Sequence, residues 1–150
     1  MKNDFDLVVI GAGPGGYVAA IRAAQLGMKV AIIEKEHFGG ICLNWGCIPT
    51  KALLRSAEVF HMMKHSSDYG ITCKDINFDF KKIIQRSRDV SAKLSNGIKK
   101  KKKKNSITTF DGTAKLLGKG KISISGKQEI KAKSIIIATG ARPRVLKGLE

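Results

Sequence analysis

An apolar run from Phe5 to Ile10 passes without a break into Gly11-Ala12-Gly13-Pro14-Gly15-Gly16, and this junction restricts the possible folds more than any other feature. Behind the glycines comes an alanine-rich stretch of helical period, from about Tyr17 to Leu26, closed by Gly27. A second apolar strand, Met28 to Ile33, ends on Glu34. Strand, helix and strand in that order predict parallel strands joined by a right-handed crossover, an α/β fold. The glycine spacing also has a chemical reading. Gly11 permits a tight turn, Gly13 lets backbone amides approach a pyrophosphate, and Gly16 lets the helix pack close to the strand. Pro14 and Gly15 complete the loop at the helix start, where the positive end of the dipole favours an anion. Glu34, roughly 20 residues beyond the glycines, stands where a carboxylate accepts hydrogen bonds from a ribose diol. A plain glycine-rich turn with Glu34 solvated is the alternative, but all the spacing elements agree with a dinucleotide site.

After Gly39-Gly40, the stretch from Ile41 to about Lys64 is long enough for a helix, although Gly46 and Pro49 interrupt its first turns. A second helical pattern runs from Phe78 to Lys104, with Ile83, Ile84, Ser87, Val90, Ser91, Leu94 and Ile98 on one face. From Ser106 onward the pattern changes. Ile107 to Phe110, Ala114 to Leu117 and Lys121 to Ser125 are short β-like pieces separated by glycines, which predict hairpins in a small antiparallel meander. Ser134 to Ala138 reads as a buried strand, followed by a turn at Thr139-Gly140-Ala141-Arg142-Pro143.

A chain of 150 residues, 43% of them hydrophobic, supports one domain with a substantial core. No apolar stretch approaches the roughly 18 residues of a membrane helix, and Met1 to Asp6 leads straight into a strand rather than a signal peptide. A soluble cytoplasmic protein with no membrane partner is expected. The formal charge of +16 invites a polyanionic partner, yet six of those charges are the run Lys99 to Lys104 and no aromatics are interleaved with them. Such a run complements the negative end of a helix dipole, so no nucleic-acid partner is expected.

Three cysteines, Cys42, Cys47 and Cys73, are too few for a secreted disulfide scaffold. Cys42-Leu43-Asn44-Trp45-Gly46-Cys47 places two thiols five residues apart at a helix start, where a disulfide is sterically possible and open amides can stabilise a thiolate. A zinc site would need about two further ligands, and His37, His61 and His65 have no paired spacing with the cysteines, so no metal is expected. Two passive thiols are the bland reading. Against it stand Gly39-Gly40 before the pair and Ile48-Pro49-Thr50-Lys51 after it.

The segment from Gly39 to Lys51 resembles the redox-active signature of the pyridine nucleotide-disulfide oxidoreductases, the class that includes dihydrolipoamide dehydrogenase, glutathione reductase and mercuric reductase. With Gly11 to Gly16, Glu34 and Thr139-Gly140, the resemblance extends over the whole chain. Leu43-Asn44 and Ile48-Pro49 are more similar to the lipoamide dehydrogenases than to the glutathione and mercuric reductases, whereas Ile41 and Trp45 depart from the commonest version of the motif.

The resemblance implies a Rossmann-like FAD-binding domain with a parallel central sheet, a helical redox-disulfide segment and an antiparallel meander, spanning residues 1–150 as the N-terminal part of a longer enzyme. It implies FAD on the glycine loop, with Glu34, Lys35 and Gly40 beside it. Cys42 would be the interchange thiol, Cys47 the thiolate nearer the flavin, and Lys51 a positive charge near flavin N5. Ala114 would lend its backbone to the adenine end, and Thr139, Gly140 and Ala141 would pass close to the cofactor. The implied activity is oxidation of dihydrolipoamide, borne by an acyltransferase of a 2-oxoacid dehydrogenase complex or by a glycine-cleavage carrier, with NAD+ as final acceptor in a homodimeric full-length enzyme. Another disulfide reductase of the class, or a flavin-binding module without turnover, are the rival readings. The nicotinamide domain and the interface domain that supplies a His-Glu pair have no candidates within residues 1–150, so full turnover is not expected of this chain alone.

Overall fold

The computed structural model describes residues 4–142 and 144–148; Met1 to Asn3, the turn residue Pro143, and Leu149 and Glu150 lie outside them. The chain groups into two compact units, one of Met1–Gly40 with Lys100–Glu150, the other of Ile41–Lys99.

Among the described residues, the first unit includes β1 (Asp4–Ile10), α1 (Pro14–Gln25), β2 (Val30–Glu34), β3 (Thr108–Asp111), β4 (Ala114–Gly118), β5 (Lys121–Ile124) and β6 (Gln128–Ile137). They form one mixed sheet in the order β3-β2-β1-β6-β5-β4. As the opening residues predict, β1 and β2 are parallel, with Leu7 opposite Val30 and Ile10 opposite Ile33. Val8, Ala31 and Ile33 enter one buried cluster, Leu7, Val9, Val30 and Ile32 another that includes Ala20 and Ala23 of α1. Side chains alternate across a strand, so β-branched runs buried on both faces belong in the centre of a parallel sheet.

Two β expectations need correcting. The piece from Ile107 to Phe110 makes no hairpin: β3 lies parallel to β2, from Ala31 opposite Thr108 to Glu34 opposite Asp111. Its chain arrives from a long helix, and a crossover of that length feeds a parallel partner, whereas hairpins need short turns. The final strand is also longer than the Ser134 to Ala138 expected and is not buried there: Ser134, Ile136 and Ile137 are exposed and Ile135 half-buried. β6 runs antiparallel to β5 from Gln128 to Lys131 and parallel to β1 from Lys131 to Ile137. Its first half alternates buried Ile130 and Ala132 with exposed Lys131 and Lys133, a half-covered pattern that a search for continuous apolar residues passes over. The meander therefore consists of β4, β5 and the first half of β6. It adds Ile122, Ile124 and Ile130 to the cluster containing Val8 and Ile33.

In the second unit the helix expected from Ile41 to Lys64 is two helices, α2 (Gly40–Asn44), which begins on the last residue of the first unit, and α3 (Cys47–Lys64). A short 3-10 turn, Ser66–Tyr69, follows. The last helix, α4 (Phe80–Lys104), starts after Asp79, whose Oδ1 accepts the Lys82 amide at 3.1 Å as an N-cap does. Its inner face is less apolar than its periodicity suggests. Ser87, Ser91 and Ile98 are buried, while Ile84 and Leu94 are exposed. The serine hydroxyls donate back to the Ile84 and Ser87 carbonyls at 2.8 and 3.1 Å, which satisfies them inside the helix. Among the described residues, no helix is long and apolar enough to cross a membrane.

Candidate functional site

Sites in open α/β sheets form beyond the carboxyl ends of the parallel strands. Here those ends are collected in one row although the chain separates them by more than 100 residues. Gly11 follows β1 and donates its amide to Ile33 at 2.8 Å; Gly112 follows β3 and donates to Glu34 at 2.9 Å; Ala138 follows β6 and donates to Ile10 at 2.8 Å. Thr139, Gly140 and Ala141 continue from that edge and are exposed. Ala114 opens β4, opposite Ile124 in the meander.

The glycine loop is close-packed where it meets its own chain and open elsewhere. Gly11 has φ +102°, and a Cβ on it would strike the Ala138 carbonyl. A Cβ on Gly16 would land on the Gly11 carbonyl oxygen, so only glycine lets α1 start this close to β1. Gly15, by contrast, has nothing within 4 Å of its Cβ position. Gly13 has extended geometry at the N-cap, Pro14 opens the helix, and no side chain caps α1 or places an acid in its first turn. The leading amides of a helix have no partner within it. An open glycine surface over such amides fits a pyrophosphate.

Glu34 is held by three backbone amides. Oε2 accepts the Ala12 amide at 2.7 Å, and Oε1 accepts those of Lys35 and Glu36 at 2.9 and 2.8 Å. A carboxylate offers about four acceptor positions, so about one is left for a ribose hydroxyl. Lys35 extends to Glu36 with its Nζ 3.6 Å from Oε1. Arg142, beyond β6, also hydrogen-bonds Glu36, and its guanidinium is the chief reason that the Glu36 carboxyl titrates below its ordinary range. Gly40 lies against the loop, its Cβ position 2.8 Å from Gly13 Cα.

The cysteines belong to the second unit. Cys42 is in α2, Cys47 is the first residue of α3, and both are free thiols, Cys42 half-buried and Cys47 exposed. The neighbouring Cys47 side chain, and after it burial, raises the Cys42 thiol above its ordinary pKa, while the Lys51 charge acts in the opposite direction. Cys47 stands where the dipole of an 18-residue helix is positive, with no acid in the first turn.

Gly46, expected only to interrupt the first turns of a helix, stands at the joint between the two cysteines. It separates α2 from α3, and a Cβ there would sit 2.9 Å from the Ile41 carbonyl oxygen and 3.3 Å from Cys42 Cα. A glycine between two cysteines at an interrupted helix start was the available signal. Arg86 and Arg88 gave none. Their guanidinium groups donate to the carbonyls of Ala52 at 2.8 Å and Asn44 at 3.1 Å, which are 34 and 44 residues away. Cys73 is an exposed free thiol. Among the described residues, no group of three or more His, Cys, Asp and Glu is arranged to hold a metal ion.

Residues 5–150 match the family model described as pyridine nucleotide-disulphide oxidoreductase. Over 150 aligned residues the chain is 54% identical to a dihydrolipoyl dehydrogenase of Zymomonas mobilis, covering 97% of this chain and 32% of that protein. Over 162 residues it is 44% identical to a dihydrolipoyl dehydrogenase of Bacillus subtilis, covering 100% of this chain and 34% of that protein. Its fold resembles that of the HOCl-induced flavoprotein disulfide reductase RclA from Escherichia coli, with a TM-score of 0.77 at 31% identity, over 95% of this chain and 29% of that one. The chain thus spans about a third of the length of the curated relatives it matches.

Proposed function

Because the chain belongs to the pyridine nucleotide-disulphide oxidoreductase family, we propose that it binds FAD on its glycine loop and works as the FAD-binding part of a dihydrolipoyl dehydrogenase. The observation that carries this reading is the pair of free thiols, Cys42 in α2 and Cys47 at the first residue of α3, the chemical group that a dithiol–disulfide exchange requires. The identity of 54% to a dihydrolipoyl dehydrogenase favours that substrate over those of other disulfide reductases.

In this reading, residues 1–150 form one FAD-binding domain. The amides behind Gly13, Pro14, Gly15 and Gly16 hold the pyrophosphate, and Glu34 receives the ribose, with Lys35 and Gly40 beside them. Ala114, Thr139, Gly140 and Ala141 contribute backbone along the cofactor. When bound, FAD supplies the two-electron acceptor that restores the disulfide, with NAD+ as final acceptor in the whole enzyme. Cys42 is the interchange sulfur: in the Cys42–Cys47 disulfide it is attacked by one thiolate of dihydrolipoamide, the S–S bond breaks with Cys47 leaving as thiolate, and the second substrate thiol then attacks the mixed disulfide and expels Cys42, leaving lipoamide and the Cys42/Cys47 dithiol. Cys47 is the sulfur on the flavin side, and Lys51 favours thiolate in the pair. The partners are lipoyl-bearing acyltransferases or carrier proteins, the full-length enzyme is a homodimer, and the setting is the cytoplasm.

A visible spectrum of the purified chain tests the reading. Bound flavin, with a thiolate-to-flavin charge-transfer band appearing on addition of dihydrolipoamide, is the expected result. A colourless protein that stays colourless after incubation with FAD would overturn it.

A further inference from the structure

The redox segment is braced from α4 by two arginines that end on different parts of it. Arg86 Nη1 donates to Ala52, in the second turn of α3, whose carbonyl also accepts the Ser56 hydroxyl at 3.3 Å. Arg88 Nη1 donates to Asn44, the last residue of α2 and part of the four-residue linker between the cysteines. The last carbonyls of a helix do not accept within it, so a guanidinium can reach them as a donor. Gly46, two residues on, is the joint at which the chain turns to bring Cys47 onto Cys42.

We propose that Arg88 is a positioning residue for the Cys42/Cys47 pair: by holding the Asn44 carbonyl it keeps the linker in the conformation from which the two sulfurs can join. The inference rests on the dithiol reading above. In the reduced form only non-covalent contacts keep Cys47 facing Cys42, and a glycine joint has more backbone freedom to lose than any other residue. In the disulfide, the S–S bond imposes that proximity by itself. An anchor on the linker therefore narrows the dithiol ensemble more than the disulfide ensemble, and so favours disulfide formation, as pre-organisation favours any ring closure. Arg86, attached outside the linker, braces α3 without this effect.

The full-length enzyme is equilibrated with glutathione buffers. Cys42 and Cys47 release two protons and two electrons in forming their S–S bond, and one glutathione disulfide is reduced to two glutathione thiols. Mass spectrometry after alkylation gives the disulfide fraction. Arg88→Met keeps the apolar stem and removes the donors, and is expected to lower the equilibrium constant for disulfide formation by about threefold to tenfold, the net range of one typical hydrogen bond. Arg88→Lys should recover part of it. Arg86→Met should lower the thermal midpoint while leaving the constant within about twofold of the unsubstituted enzyme. An unchanged constant in Arg88→Met, or an equal fall in Arg86→Met, would overturn the proposal. Failure of the unsubstituted enzyme to form a Cys42/Cys47 disulfide would overturn the dithiol reading, and this inference with it.

Discussion

Glu34 Oε2 accepts the Ala12 amide at 2.7 Å, across 22 residues of sequence, so the acid that ends β2 also holds the glycine loop that follows β1. The residue expected to recognise the ribose is thus part of the scaffold of the glycine loop. Glu34→Gln keeps the size but removes the charge and one acceptor oxygen, leaving an amide N–H among donors. It should destabilise the cofactor-free chain by about 1.5–3 kcal/mol, read as a shift in urea midpoint. Glu34→Ala should also lose FAD on gel filtration more readily than Lys51→Ala, whose side chain acts on the cysteines. Equal flavin loss from the two variants would contradict the assigned roles.

Gly16 and Gly15 separate packing from openness. Gly16→Ala places a methyl on the Gly11 carbonyl, whereas Gly15→Ala places one in open space. The first should cost about 3 kcal/mol or more, the second should stay within about 1 kcal/mol of the unsubstituted chain. Chemical denaturation of the two variants makes the comparison, and matching midpoints would show that the helix start can relax.

The Cys42 titration has a definite sign. Its pKa is raised, first by the neighbouring Cys47 side chain and next by burial, so it carries less thiolate at a given pH than an ordinary cysteine. Cys47→Ala removes the leading cause and should move the Cys42 alkylation midpoint to lower pH. Lys51→Met removes a charge that lowers the pKa and should move the midpoint to higher pH. Peptide-resolved alkylation with iodoacetamide across pH measures both, and shifts of the same sign would refute this account.

The 150-residue chain should exchange thiols with dihydrolipoamide but not reduce NAD+ steadily. One glycine loop of this kind is present in its sequence. His61 and His65 stack on each other with centroids 4.1 Å apart on the exposed end of α3, and His65 Nδ1 lies 2.9 Å from the His61 carbonyl oxygen. General acid–base work on a dithiol needs a group within hydrogen-bond reach of the reacting sulfur. Continuous NADH production by the pure chain, unaffected by replacing His37, His61 and His65 together, would show that the catalytic groups lie elsewhere within it.

The βαβ opening, the glycine loop and the terminal acid were legible in the sequence because each depends on local physics. A strand of Val and Ile, a helix that Pro14 can start, and a turn that only glycine permits need no distant partner. The cysteine pair and Lys51 were legible as a motif for the same reason. Partners that arrive from far along the chain were decided by tertiary structure. β3 joined β2 in parallel because α4 delivers it to that edge, and β6 spans both sheet regions because its lysines can lie outward while Ile130 and Ala132 turn in. The capture of Glu34 by Ala12, of Asn44 by Arg88 and of Ala52 by Arg86 followed likewise. A hydrogen bond between groups 22 to 44 residues apart leaves no period or spacing in the sequence, since its donor and acceptor become neighbours only once the sheet or the helices have packed.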